Sequence, residues 1–157
     1  MARETLVMRM WRKLNGSALG RWLFAKMVCF KAPYFASVAP RIQVLEPGFC
    51  EGSIRQHRAI QNHIGTVHAI ALCNLAELCA GLMTDVSIPA DMRWIPKSMK
   101  VNYLHKAKGN IRAQARPEAE LYSSAQAYNA LVRVRMMDDQ QTEVFSAEIE
   151  MWISPRS

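Results

Sequence analysis

Asn62-His63-Ile64-Gly65-Thr66-Val67-His68-Ala69-Ile70-Ala71-Leu72-Cys73-Asn74-Leu75-Ala76-Glu77-Leu78-Cys79-Ala80-Gly81 opens as a polar loop and continues as a run of small and apolar residues. The apolar part predicts a helix over about Val67–Met83. It is apolar on nearly every side, the pattern of a helix inside a fold rather than on its surface. Its single carboxylate, Glu77, is costly to bury unless it is paired, protonated or functional. Glu77 is therefore the first candidate for chemistry.

The segments around this helix change period. Upstream, Ala39–Glu46 and Phe49–Gln56 read as two strands joined by the turn Glu46-Pro47-Gly48. Downstream, Met99, Val101 and Tyr103 alternate with Lys100 and Asn102, and Ile111, Ala113 and Ala115 with Arg112, Gln114 and Arg116. Two further alternating runs follow, Tyr128–Met136 and Phe145–Ile153. Period-two alternation with short connections predicts antiparallel strands, each with one apolar face. Two strands, a buried helix and four strands give an α+β class. A single curved antiparallel sheet wrapped around one long buried helix gives every apolar face a partner. The edges of such a sheet can pair across a homodimer.

The first part of the chain is helical. Glu4–Leu14 and Ser17–Phe30 are separated by Asn15-Gly16-Ser17, with Ser17 as N-cap. Trp22–Phe30 is too short and too charged for a signal peptide or a membrane span. With Arg9, Arg12, Lys13 and Arg21 nearby, membrane contact of these N-terminal helices is the alternative to the expected packing on their own domain.

The 157 residues suit one domain, and half of them are hydrophobic. Twenty Lys and Arg against thirteen Asp and Glu leave a formal charge of +7. No run of five basic residues occurs and aromatics do not interleave with them, which argues against nucleic acid. A solvated basic face comes first and an anionic small ligand next. Cys29, Cys50, Cys73 and Cys79 form no CxxC pair, so no metal site is expected, and a reduced, cytoplasmic chain is the simplest account.

The strand order and the residues of the loop together resemble the hotdog-fold thioesterases, especially the phenylacetyl-CoA-type acyl-CoA thioesterases. The resemblance runs from about Pro40 to Ile153. It divides the chain into an N-terminal helical extension, 1–38, and a hotdog domain, 39–157. That family carries an Asn, then five residues, then His-Gly-Gly opening the helix, with an acid nine residues after the His. Asn62, His68 and Glu77 fall on those positions, with Ala69 and Ile70 where the family has glycines and Glu where close relatives commonly have Asp.

The resemblance implies a hydrolase of acyl-CoA or acyl-carrier thioesters, working as a homodimer or homotetramer, with no cofactor beyond the coenzyme A of the substrate. Glu77 would attack the carbonyl or activate water across the dimer interface, and Asn62 would orient water or carbonyl. The helix N-terminus at His68 and Ala69 would polarise the carbonyl. Desolvation would raise the Glu77 pKa toward neutrality. Lys97, Lys100, Lys106 and Lys108 are candidates for coenzyme A phosphates as a cluster.

Each assignment has a structural counterpart. Glu77 could be a satisfied buried carboxylate, His68 a helix cap and Asn62 the builder of an Asx turn. His63, fourteen residues before Glu77, supports a rival reading as a hydroxyacyl-thioester dehydratase. A third reading is a non-catalytic dimer that binds acyl-CoA or lipid.

Overall fold

The computed structural model describes residues 4–156. Helix α1 (Leu6–Leu14) is capped by Thr5, whose hydroxyl accepts the Met8 N–H at 3.2 Å. Helix α2 (Ala18–Lys31) is capped by Ser17, which accepts the Gly20 N–H at 3.0 Å. Each cap satisfies an amide that the first helical turn leaves without a partner. Edge-to-face packing of Trp11 on Phe24, with ring centroids 5.0 Å apart, clamps the two helices together. Met8, Trp11 and Phe24 are buried in the same core as the sheet.

A short 3-10 segment, Pro33–Val38, leads into β1 (Arg41–Glu46) and β2 (Phe49–Arg55). Gly48 makes the tight turn between them at φ +80°, where a side chain would be strained. Helix α3 (Ala69–Ser87) follows, then β3 (Met92–Tyr103), β4 (Asn110–Pro117), β5 (Tyr128–Met137) and β6 (Glu143–Pro155). The strands form one antiparallel sheet in the order β1-β2-β4-β5-β6-β3. The chain leaves α3, crosses to the far side of β6, and only then fills the middle of the sheet. β1 and β3 are consequently its two edges.

One face of this sheet wraps α3, which touches all six strands. Ile54, Ile111, Ala113, Val132, Val134, Met136, Phe145, Ile149 and Met151 are buried on that face. Apart from Ile54 of β2 these are the apolar members of the alternating runs, so in β4, β5 and β6 the period in the sequence names the inward side correctly. The α+β architecture with a sheet around one long helix is as expected from the sequence. α3 is long and apolar enough to cross a membrane by composition, but two-thirds of its most apolar stretch is buried within the protein.

Two details depart from the sequence reading. The helix begins at Ala69, because Val67 is held in extended conformation by a bridge to Gln61 and by donation of its N–H to Ala107 O at 2.9 Å. β3 begins seven residues before Met99. Pro96 lies within it, on an edge strand next to a bulge between Pro96 and Ser98, where the ladder tolerates a proline.

Candidate functional site

The loop before α3 is closed by its own polar groups. Asn62 Oδ1 accepts the N–H groups of Ile64 (3.2 Å) and Thr66 (3.0 Å), and Asn62 Nδ2 donates to Thr66 Oγ1 at 2.8 Å. The Asn62 N–H donates to Thr66 O at 2.9 Å, and Gly65, at φ +73°, donates to Asn62 O. The side chain of Asn62 thus builds an Asx-type turn. His68 completes the junction as the N-cap of α3, its Nδ1 accepting the Ile70 N–H at 3.1 Å.

Beside this junction lies a cleft of about 340 Å³. Asn62, Thr66, Ala69 and Leu72 line one side, and Tyr103, Leu104 and Lys106 the other. The first-turn amides of α3 lie at its wall, where a helix presents N–H groups and a partial positive charge. Tyr103 is held in place by the Cys73 thiol, with Sγ and Oη 3.4 Å apart. That hydrogen bond, with burial adding to it, raises the phenol above its ordinary pKa.

Glu77 lies two turns further along the same face. Ala69, Cys73, Glu77 and Asp85 are the half-buried residues on one i+4 row of α3, with Gly81 buried between the last two. That row faces β3. Cys73 meets Tyr103, Gly81 backs onto the Trp94 ring, and Asp85 accepts from Trp94 Nε1 at 3.5 Å. Glu77, between these contacts, therefore sits opposite the middle of the edge strand. It is half-buried rather than enclosed, and has no hydrogen-bond or ion-pair partner among the described residues. A carboxylate on this row costs less than one on the rest of α3, because an edge strand covers it only partly.

The structure brings together some of the residues singled out in the sequence and separates others. Asn62, Ala69 and Lys106 share the cleft. His63 and His68 are exposed beside it and do not line it. From Ala69 to Glu77 the rise along the helix is about 12 Å, so Glu77 does not reach the α3 N-terminus of its own chain. Lys97 lies on the outer sheet face, 3.8 Å from Glu150 and over the Trp152 ring at 5.1 Å. Lys100 pairs in register with Glu148 on that same outer face, and Lys108 is exposed in the β3–β4 loop. The four lysines thus do not form one cluster. Tyr103 and Leu72 were not singled out from sequence: both read as core positions of their elements, and only the strand order makes them cleft walls.

No cluster of three or more metal-ligating side chains occurs among the described residues. The four cysteines are free.

Residues 20–153 match the family described as Domain of unknown function (DUF4442). The chain belongs to the DUF4442 family. Comparison with curated protein sequences gives no match. Among solved structures, the crystal structure of genomics APC5556 is 42% identical over 97% of this chain and 100% of that one, with a TM-score of 0.82. A Pseudomonas aeruginosa protein, PA5026, named a protein of unknown function and probable thioesterase, is 26% identical over 84% of this chain and 93% of its own, with a TM-score of 0.76. Thioesterase HI1161 from Haemophilus influenzae shares the fold at 12% identity, covering 82% of this chain and 87% of its own, with a TM-score of 0.70. The chain has the hotdog fold of the thioesterase superfamily, as its DUF4442 core of α3 and six strands shows.

Proposed function

We propose that this protein hydrolyses an acyl thioester of coenzyme A or of an acyl carrier protein, and that it does so as a homodimer. The observation that carries the reading is the division of the site along one helix face. The amide-bearing end of α3 opens into the cleft, while the unpartnered carboxylate of Glu77 lies about 12 Å away beneath an unpaired edge strand. A second copy pairing along β3 would bring its own Glu77 to the cleft, closing a gap that one chain leaves open. The fold likeness to proteins named thioesterases supports the same reading.

In this mechanism the thioester carbonyl lies against the Ala69 amide, whose N–H, together with the positive end of the α3 dipole, stabilises the negative charge that develops on its oxygen. Glu77 of the second copy attacks the carbonyl carbon or takes a proton from the attacking water. Where water attacks, the carbon–sulfur bond then breaks, the carboxylic acid forms, and the thiolate leaves with the proton that Glu77 took from the water. Where Glu77 itself attacks, the thiolate leaves and takes a proton from solvent, and water then cleaves the mixed anhydride to release the acid and restore the carboxylate. Asn62 keeps the loop in shape, and Lys106 is the one lysine of the four placed in the cleft to meet phosphate. The outer-face lysines Lys97 and Lys100 are left to surface pairing.

The test is release of free thiol from a panel of acyl-CoAs by wild type and Glu77→Gln. Loss of general acid–base action predicts a fall in turnover of about 10²- to 10⁴-fold. Full activity in Glu77→Gln refutes the mechanism. Mixing inactive Glu77→Gln with inactive Asn62→Ala tests the shared site. Random exchange of subunits gives one intact site in half of the dimers, so about a quarter of wild-type turnover returns. No recovery after verified exchange refutes the cross-subunit arrangement.

A further inference from the structure

The outer face of α2 is apolar and exposed. Leu19, Trp22, Leu23, Met27 and Phe30 follow the i, i+3, i+4 spacing of one helical stripe, with Lys26 as its sole charged member. All five apolar residues are exposed, Leu19 at 74% and Phe30 at 91%. The opposite face of the same helix is held firmly, since Phe24, Ala25 and Cys29 are buried. The exposure therefore belongs to a rigid helix with two apolar faces rather than to a loosened one. The stripe runs on into an apolar groove of about 690 Å³ lined by Leu6, Val7, Met10, Met27, Phe30 and Lys31.

Charge along the N-terminal helices that carry the stripe is one-sided. Between Glu4 and Pro40 the basic residues are Arg9, Arg12, Lys13, Arg21, Lys26 and Lys31, and the acidic residue is Glu4 alone. Glu4 is itself taken up by Arg12 at 3.0 Å. Lys26 lies along the Trp22 ring, its Nζ 5.5 Å from the ring centroid, with an apolar stem in the stripe and a charged tip beyond it. We propose that this face of α2 docks on an anionic lipid bilayer. Trp, Phe and Leu would enter the headgroup boundary, and Lys26 and Lys31 beside them would meet lipid phosphates. A second copy is the poorer occupant, because stripe-to-stripe packing would bring two like-charged basic surfaces together.

Co-sedimentation with vesicles tests this on the full chain. Wild type is expected to bind vesicles of mixed phosphatidylserine and phosphatidylcholine at least about tenfold more tightly than phosphatidylcholine alone, with the difference shrinking in about 0.5 M salt. Leu19→Ser/Phe30→Ser should lower that binding at least about tenfold while circular dichroism and melting stay unchanged, since both side chains are exposed. Lys26→Glu/Lys31→Glu should remove the preference for anionic lipid. Equal binding by wild type and the serine variant overturns the proposal, as does failure of wild type to bind anionic vesicles. Sedimentation velocity supplies the remaining outcome: a wild-type oligomer that the serine variant dissolves makes the stripe a self-association face, which also overturns it.

Discussion

Replacing Gly81 by alanine sets two opposed terms against each other on the face of α3 that carries Glu77. A helix-interior glycine changed to alanine gains about 1 kcal/mol in intrinsic propensity. Here, however, the new Cβ would lie 2.9 Å from Trp94 Cη2, with two more ring atoms at 3.7 Å. An unstrained carbon contact is about 3.5–4.0 Å, so the indole must retreat by more than half an ångström. Retreat weakens the Trp94 Nε1 bond to Asp85, already at 3.5 Å, and lifts the edge strand from the helix. Overpacking of this kind costs about 1–3 kcal/mol, which outweighs the propensity gain. Gly81→Ala should therefore destabilise by about 1 kcal/mol, the difference between the middle of that cost and the propensity gain. In a Trp94→Phe background the far ring atoms are gone, and the same change should stabilise by up to about 1 kcal/mol. The coupling between the two positions is then about 2 kcal/mol. Urea unfolding of the four proteins at one fixed concentration measures it, with concentration held because assembly feeds into apparent stability. A stabilising Gly81→Ala in wild type, or the same sign in both backgrounds, refutes the reasoning.

Three further outcomes follow from the geometry. Gly52→Ala would place its Cβ 2.7 Å from Cys79 Sγ and 3.2 Å from Arg41 O, a squeeze from side chain and backbone together. It should cost about 3 kcal/mol by denaturant unfolding, with Cys79→Ala recovering part of the loss. A hydrogen bond to Cys79, with burial adding to it, pushes the Cys50 thiol well above its ordinary value near 9. A raised folded-state pKa gives stability that is complete below the unfolded value and declines as pH rises above it, so melting temperature should fall above pH 9 less steeply in Cys50→Ala than in wild type. Asn62→Ala leaves the Ile64 and Thr66 amides without their acceptor, and should destabilise by about 1–3 kcal/mol while opening the 62–66 loop to hydrogen exchange.

Much of the fold was legible because its signals are local. The two periods separated α3 from the strands, and Ser17 marked the start of α2. His68, expected to cap the helix or fix the loop rather than to act as a base, accepts the Ile70 amide at its Nδ1. What escaped the sequence depended on context. The first half of β3 escaped because the alternation from which the strand was read starts only at Met99, beyond the bulge between Pro96 and Ser98. The outer stripe of α2 was blurred because apolar residues on both sides of a helix erase the contrast from which exposure is read.

The sequence by itself determined the main elements, their order, and which side of β4, β5 and β6 turns inward, because helix capping, turn chemistry and hydrophobic period act within a few residues of one another. In β1 it did not: Ile42 and Val44 read as one face, but a bulge between them leaves Val44 exposed and turns Leu45 inward. Only the tertiary structure decided that β3 crosses to the outside of β6, since nothing in an alternating run specifies its neighbour in the sheet. That crossing leaves the Glu77 row of α3 under an edge strand and makes a cleft wall of Tyr103. A carboxylate whose position in the chain suggested enclosure is instead half-open, because the strand that covers it is the last in the sheet.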